Sequence, residues 1–307
     1  MADRGNKQIA RFIDSLRMKP GTRVTLAKDF DPAFKGPFAN KAEGAGLLSQ
    51  GVQTVAEYQS RLAAQDTYGV LVVLQGIDAA GKDGTIRHVM SGVNPQGVNV
   101  RSFKVPSAAE LAHDYLWRYA RSLPARGEIG IFNRSHYEEV LVVRVHQENL
   151  IREHMPPPAT GPDVWKRRYR EINDWERYLA DNGIVVVKLF LNLSKEEQRL
   201  RFLKRIDVQE KNWKFSADDV RDRASWDAYQ TAFSDMLSST STSWAPWYVI
   251  PADHKWYARI CASAILADTL IKLNPQYPTV GKQAQRELQE ARTQLQAEAP
   301  PSKSAAR

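Results

Sequence analysis

A single cysteine, Cys261, stands among 307 residues. That leaves no partner for an internal disulfide, excludes a disulfide-framed scaffold and fits a reducing compartment, so a cytoplasmic location is expected. No run approaches the length of a membrane-spanning apolar segment, and the first twenty positions carry charges where a signal peptide would have an apolar centre. Neither a membrane span nor secretion is expected. Repeats at a solenoid period are missing too. Acids are the scarcer charge: 35 Asp and Glu against 43 Lys and Arg leave a formal +8, with a pI near 9.5. Such a surplus points to a polyanionic partner without saying which. What remains is ordinary for a folded protein, since 43% apolar and 25% charged residues suffice for a core and are too apolar for wholesale disorder.

Residues 1–40 read as an arm, with a short amphipathic helix (Ile9, Phe12, Ile13, Leu16) and then a Gly-, Pro- and Asp-rich connector. The recurrence of Leu47, Leu48, Val52, Val55, Tyr58 and Leu62 predicts a helix over 41–65. The run YGVLVVLQ at 68–75 reads as a short strand buried on both sides. Four further apolar runs follow, at 98–103, in GEIGIF ending at Phe132, in IVVVKLFL at 184–191 and in WYVI at 247–250. Helical patterns lie between them, including 108–121, 163–180 and 194–206. On the helix at 163–180, Trp165, Tyr169, Ile172 and Leu179 read as core. Strands alternating with helices predict an α/β protein with a mostly parallel five-stranded sheet covered on both faces. The main domain spans 41–278, and 279–307 reads as a solvated helix with a frayed tail.

After the first strand comes GIDAAGKDGT, where Gly76, Gly81 and Lys82 satisfy the phosphate-loop spacing. Glycines there let backbone N–H groups close around phosphate oxygens, the following helix adds its positive end, and the lysine adds a point charge. Gly76, Ala79, Ala80, Gly81, Lys82, Gly84 and Thr85 are the expected phosphate cradle. Asp83 stands where a hydroxyl residue is usual, and Asp78 lies inside the loop. Acids in a phosphate cradle repel the ligand unless a cation intervenes, so both point to Mg²⁺, with Asp78 as its ligand and Mn²⁺ as a substitute. The alternative reading of Asp83, the weaker of the two, is a helix N-terminal acid.

After the third strand, FNRSHYEEV places Asn133 where an acid is usual and Arg134 beside it as a planar fork for phosphate oxygens. Glu138 and Glu139 read as acceptor-orienting groups or as surface acids. Arg201, Lys204, Arg205, Lys211, Lys214 and Arg223 predict a basic helical lid over about 200–225, placed to exclude water and bring charge to phosphate. The interleaved acids also allow a plain solvated face. Tyr137, Trp117 and Trp213 are candidates for contact with a base, and His88, His113 and His136 read as packing residues.

GIDAAGKDGT, SGVNPQGV at 91–98, FNRSHYEEVLVVRVH at 132–146, EKNWKFS at 210–216 and PWYVIPADHKWYAR at 246–259 together resemble the polyphosphate kinase 2 family. The resemblance implies a phosphate-loop kinase-like three-layer fold with an inserted helical lid, Mg²⁺ dependence, and phosphoryl transfer between inorganic polyphosphate and adenine or guanine nucleotides. It also implies a catalytic set of Asp78, Lys82, Asp83, Asn133 and Arg134, with Arg134, Tyr137, Glu138 and Glu139 toward the nucleotide. The Asn133 form is similar to members that accept both AMP and ADP. A homo-oligomer is expected, and no specific nucleic acid. The alternatives are an ATP-dependent nucleoside monophosphate kinase and a nucleic-acid-binding ATPase, which would share the loop and the high pI.

Overall fold

The computed structural model describes residues 12–298, apart from 39, 154, 157 and 158. Ile9 of the expected first helix and the tail from 299 lie outside the described residues. Residues 12–16 are helical and bury Ile13 and Leu16. Seven longer helices are α1 (Lys41–Gln65), α2 (Lys82–Val89), α3 (Val164–Asp181), α4 (Lys195–Asp207), α5 (Trp226–Thr240), α6 (Lys255–Leu273) and α7 (Lys282–Ala297). The strands are β1 (Gly69–Gln75), β2 (Val98–Ser102), β3 (Ile129–Asn133), β4 (Ile184–Asn192) and β5 (Trp247–Pro251). All pair in parallel, in the order β2-β3-β1-β4-β5.

The pleat divides the core in two. Val70, Val72 and Leu74 of β1 point into one apolar cluster with Val55 and Leu62 of α1 and Ile265 and Leu266 of α6. Leu71 and Val73 point into the other, with Ile172 of α3 and Phe233 and Met236 of α5. Helices cover both faces, so the fold is a three-layer α/β sandwich. Each fully buried aliphatic contributes about 1.5–3 kcal/mol of transfer free energy, and these inner strands carry little else. β2, at the sheet edge, is half-buried to exposed. Among the described residues, no helix is long and apolar enough to cross a membrane.

Two local readings change. The pattern at 108–121 forms two single turns, Ala108–Leu111 and Trp117–Ala120. Ser107 and Glu110 close a capping box on the first turn, and the Asp114 carboxylate accepts from Leu116 N at 3.0 Å. Side chains that satisfy nearby backbone groups this way compete with helix continuation. On α1, Leu47 is exposed, and the contact face runs instead through Gly44, Gly51, Val55, Gln59 and Leu62. The reason is close approach to α6: a Cβ at Gly44 would sit 2.4 Å from Ile260 Cδ1, and one at Gly51 would sit 2.7 Å from Ser263 Oγ and 3.0 Å from Ser263 Cβ. Gly51→Val is therefore expected to lower unfolding free energy by about 1–3 kcal/mol through overpacking, read as a shifted midpoint in chemical denaturation at constant slope.

Candidate active site

β1 ends at the sheet's centre, where the chain crosses to β2 on one side and later to β4 on the other, so the loop after β1 opens into a crevice. Gly76 begins the loop with φ +152°, and a Cβ there would lie 2.9 Å from Leu191 O. Gly81 adopts φ +107°, and Ala79 holds φ +64°, which is uncommon for a residue with a side chain. The Lys82 ammonium bends back across the loop and donates to Gly76 O at 2.7 Å and Ile77 O at 3.4 Å. Burial, then the Arg134 charge, lowers it to about 8.

Arg201 is the loop's anchor. It donates Nε to Glu197 Oε1 (2.7 Å), Nη1 to Ala79 O and Ala80 O (both 2.9 Å), and Nη2 to Ala252 O (2.6 Å) and Asp253 O (3.0 Å). A guanidinium has five N–H groups, and these bonds use them all. Arg201 borders the cavity, as expected, and its N–H groups form a brace joining α4, the phosphate loop and the end of β5. Arg223 Nη1 donates to Lys195 O and Gln198 Oε1 at 2.8 Å each, while Gln198 Nε2 donates to Asp78 O at 3.0 Å. Arg223 faces a small side crevice that also touches Gly76.

A cavity of about 1310 Å³ opens over the loop, lined by residues 78–85, by Asn133, Arg134, Glu138 and Glu139, and by Lys204, Arg205, Lys211 and Lys214 of the insert between β4 and β5. Thirteen basic and eight acidic side chains line it, so the lining carries a surplus of five positive charges. Arg134, at the end of β3, holds φ +63° and ion-pairs with Asp78 and, at 3.3 Å, with Glu138. Its guanidinium is stabilised in the charged form, chiefly by Glu138. Asn133 Nδ2 donates to Asp83 Oδ1 at 2.8 Å, and Lys214 Nζ stands 3.6 Å from Asp83 Oδ2. Burial works to raise the Asp83 carboxyl, but the Asn133 amide and Lys214 bring it below its ordinary value. Arg205 pairs with Asp219 at 3.0 Å.

Tyr137 is not on the cavity wall. It is fully buried beneath it, with its hydroxyl donating to Glu176 Oε1 at 2.8 Å, which removes it from contact with a nucleotide. Trp213 stands at the lining, 77% exposed. Glu139 is on the wall and buried, accepting from Tyr119 Oη at 3.0 Å. Burial, reinforced by Glu153, pushes it up to about 7.

Other lining residues were not singled out from sequence: Arg87 on α2, Arg118, Arg152, and Lys255 and Arg259 one turn apart on α6. Burial, with Arg201, Lys204 and Lys211 nearby, lowers Lys255 to about 8. The spacing of Lys255 and Arg259, just past the end of β5, was the available signal.

The oxygen donors fit a hard cation. Asp78 and Asp83 carry carboxylates at the loop, and the Asn133 amide, having spent an N–H on Asp83, keeps its oxygen. Among the described residues, no group of three or more His, Cys, Asp or Glu forms a cage. A divalent ion here would take part of its shell from phosphate oxygens and water, which is the usual arrangement for Mg²⁺ in phosphoryl-transfer sites.

The family model described as polyphosphate kinase 2 matches residues 39–278. An ADP-polyphosphate phosphotransferase of Rhodopseudomonas palustris is 48% identical over 283 residues, covering 91% of this chain and 96% of that protein. An AMP/ADP-polyphosphate phosphotransferase of Meiothermus ruber is 48% identical over 266 residues, covering 85% and 94%. The crystal structure of a polyphosphate kinase 2 from Arthrobacter aurescens superposes with a TM-score of 0.80 at 38% identity, covering 91% of this chain and 96% of that one. A phosphate loop at the floor of a basic cavity, with a match across the whole α/β domain, places the chain in the polyphosphate kinase 2 family.

Proposed function

We propose that the protein transfers the terminal phosphoryl group of inorganic polyphosphate to a phosphate oxygen of AMP or ADP, giving ADP or ATP. The observation that carries this reading is the cavity itself: a phosphate loop under a wall with thirteen basic and eight acidic groups, suited to an extended chain of phosphates as well as a nucleotide. The acceptor oxygen is already ionised near neutral pH, so it needs no strong base. It attacks the terminal phosphorus in line, the bridging P–O bond breaks, and the leaving group is polyphosphate shortened by one unit. Catalysis is then positioning and charge neutralisation. Asp78, with Asp83 and Asn133 close by, would hold Mg²⁺, which would supply positive charge to offset that of the phosphates. Lys82 and the loop N–H groups hold the transferring phosphate, Arg134 grips its equatorial oxygens, and Lys204, Lys211, Lys214, Lys255 and Arg259 line the path of the chain. Buried His136, bound to Glu176, takes no part as a base.

Assays with polyphosphate or ATP as donor, each with Mg²⁺ and AMP, test the reading. Polyphosphate is expected to support turnover, and phosphorylation by ATP alone would identify a nucleoside monophosphate kinase instead. Lys82→Ala is expected to lower kcat by about 10²–10³-fold with an unchanged far-ultraviolet circular dichroism spectrum. Asn133→Asp sets a second carboxylate against Asp83, where a 2.8 Å hydrogen bond now lies. It is expected to change the ratio of AMP to ADP turnover and to raise dependence on the divalent ion, measured by titrating Mg²⁺ with each acceptor. Protonated Lys82 and Lys255 attract polyanion, and both are lowered to about 8. Affinity is therefore full below that pH and lost as pH rises through it, so KM for polyphosphate is expected to climb between about pH 7 and 9, and Lys255→Met to flatten the climb.

A further inference from the structure

Lys188 stands in the middle of the apolar run of β4, fully buried. Its three N–H bonds go to Glu176 Oε2 at 2.6 Å, Tyr137 Oη at 2.8 Å and Thr240 O at 2.6 Å. Glu176, also fully buried, accepts on its other oxygen from Tyr137 Oη at 2.8 Å and meets His136 Nε2 at 3.2 Å. Burial lowers the His136 imidazole, which favours its neutral form. The cluster thus ties α3, β4 and the end of α5 to two consecutive residues, His136 and Tyr137.

None of these four side chains reaches the cavity, yet the segment they hold is part of its wall: Asn133 and Arg134 precede them, and Glu138 and Glu139 follow. Between the two halves lies Ser135, whose hydroxyl accepts from Tyr137 N at 3.2 Å and from Gln75 Nε2 at 3.0 Å. Gln75 is the last residue of β1, directly before Gly76. Hydrogen bonds thus fix the turn from below and from the phosphate-loop side. Arg134 sits at the pivot in the left-handed conformation, which its own side chain disfavours, and its N–H reaches back to Leu74 O at 3.2 Å. A buried ion pair contributes little net stability compared with apolar residues of similar volume. What it supplies is direction, because a hydrogen-bonded polar network, here complete apart from His136 Nδ1, accepts one arrangement where apolar packing accepts several.

We propose that Glu176 and Lys188 are positioning residues for phosphoryl transfer, clamping the His136–Tyr137 turn so that Arg134 keeps its strained backbone and its guanidinium stays aimed at Asp78 and the cavity. The kinetic part of this inference rests on the proposed reaction.

The double replacement Lys188→Met with Glu176→Gln removes both charges together and keeps an amide oxygen for Tyr137 and His136. The clamp requires kcat for AMP and polyphosphate to fall about tenfold or more in the folded double variant, as a small misplacement of a charged group can do. KM for polyphosphate, set by the cavity lysines, should stay within about twofold. Backbone amide exchange over 134–138 should quicken while β1 is unaffected. Unaltered kcat or unaltered exchange in the folded double variant overturns the clamp. If the double variant does not fold, Tyr137→Phe, which deletes one hydroxyl and keeps the ring, carries the same readouts: slower turnover and faster exchange support the clamp, and unaltered values overturn it. Should the unaltered protein show no polyphosphate-dependent turnover, the proposed function fails, and amide exchange alone decides the clamp.

Discussion

The five hydrogen bonds of Arg201 are the constraint on which the site depends. A phosphate loop turns its N–H groups inward to meet an anion, and some of its carbonyls are thereby turned away from their usual partners. Arg201 takes two of them, Ala79 O and Ala80 O, together with two carbonyls after β5. One side chain on α4 thus fixes the loop against the far edge of the sheet. Truncating such a buried, fully satisfied cation costs several kcal/mol, of order 3–5, because four carbonyls and the Glu197 carboxylate lose their partner together. The same brace limits how the insert can move, since α4 is anchored at this point while the segment beyond it, with Lys204, Lys211 and Lys214, lines the cavity.

Around that anchor, the site holds more positive charge than its acids offset. Lys82 and Lys255 are both drawn to about 8 by burial and by neighbouring cations. Asp78 is engaged by Arg134, and Asp83 by Asn133 and Lys214. The interior is therefore electrostatically suited to a polyanion. The cavity lining carries a surplus of five positive charges, against +8 for the whole chain, and the acids among its lysines suit a divalent cation better than a nucleic-acid backbone.

Much of this was legible in the residues. The buried strand YGVLVVLQ, the loop GIDAAGKDGT and the alternation of strands with helices led to a parallel three-layer sheet, because a strand buried on both faces leaves a continuous apolar run and a phosphate loop leaves its glycines and lysine at fixed spacing. The edge strand β2 and the broken stretch at 108–121 were harder, since one is only half-buried and the other is shaped by local side-chain hydrogen bonds. Tyr137 illustrates the limit: it lies in the motif, three residues after a cavity residue and one before another, yet points into the core.

The sequence by itself determined the fold class, the phosphate loop, and the family to which those blocks belong, because each is written in local spacing and hydrophobic period. Tertiary structure decided which charges face substrate. Arg201 and Lys204 lie three apart on one helix and both border the cavity, but the N–H groups of Arg201 are spent on Glu197 and on carbonyls from two distant segments. Lys188 and Glu176 look like interruptions in apolar surroundings until the fold brings them to Tyr137. A charged side chain takes its role from the partners that satisfy it, and most of those partners are dozens of residues away along the chain.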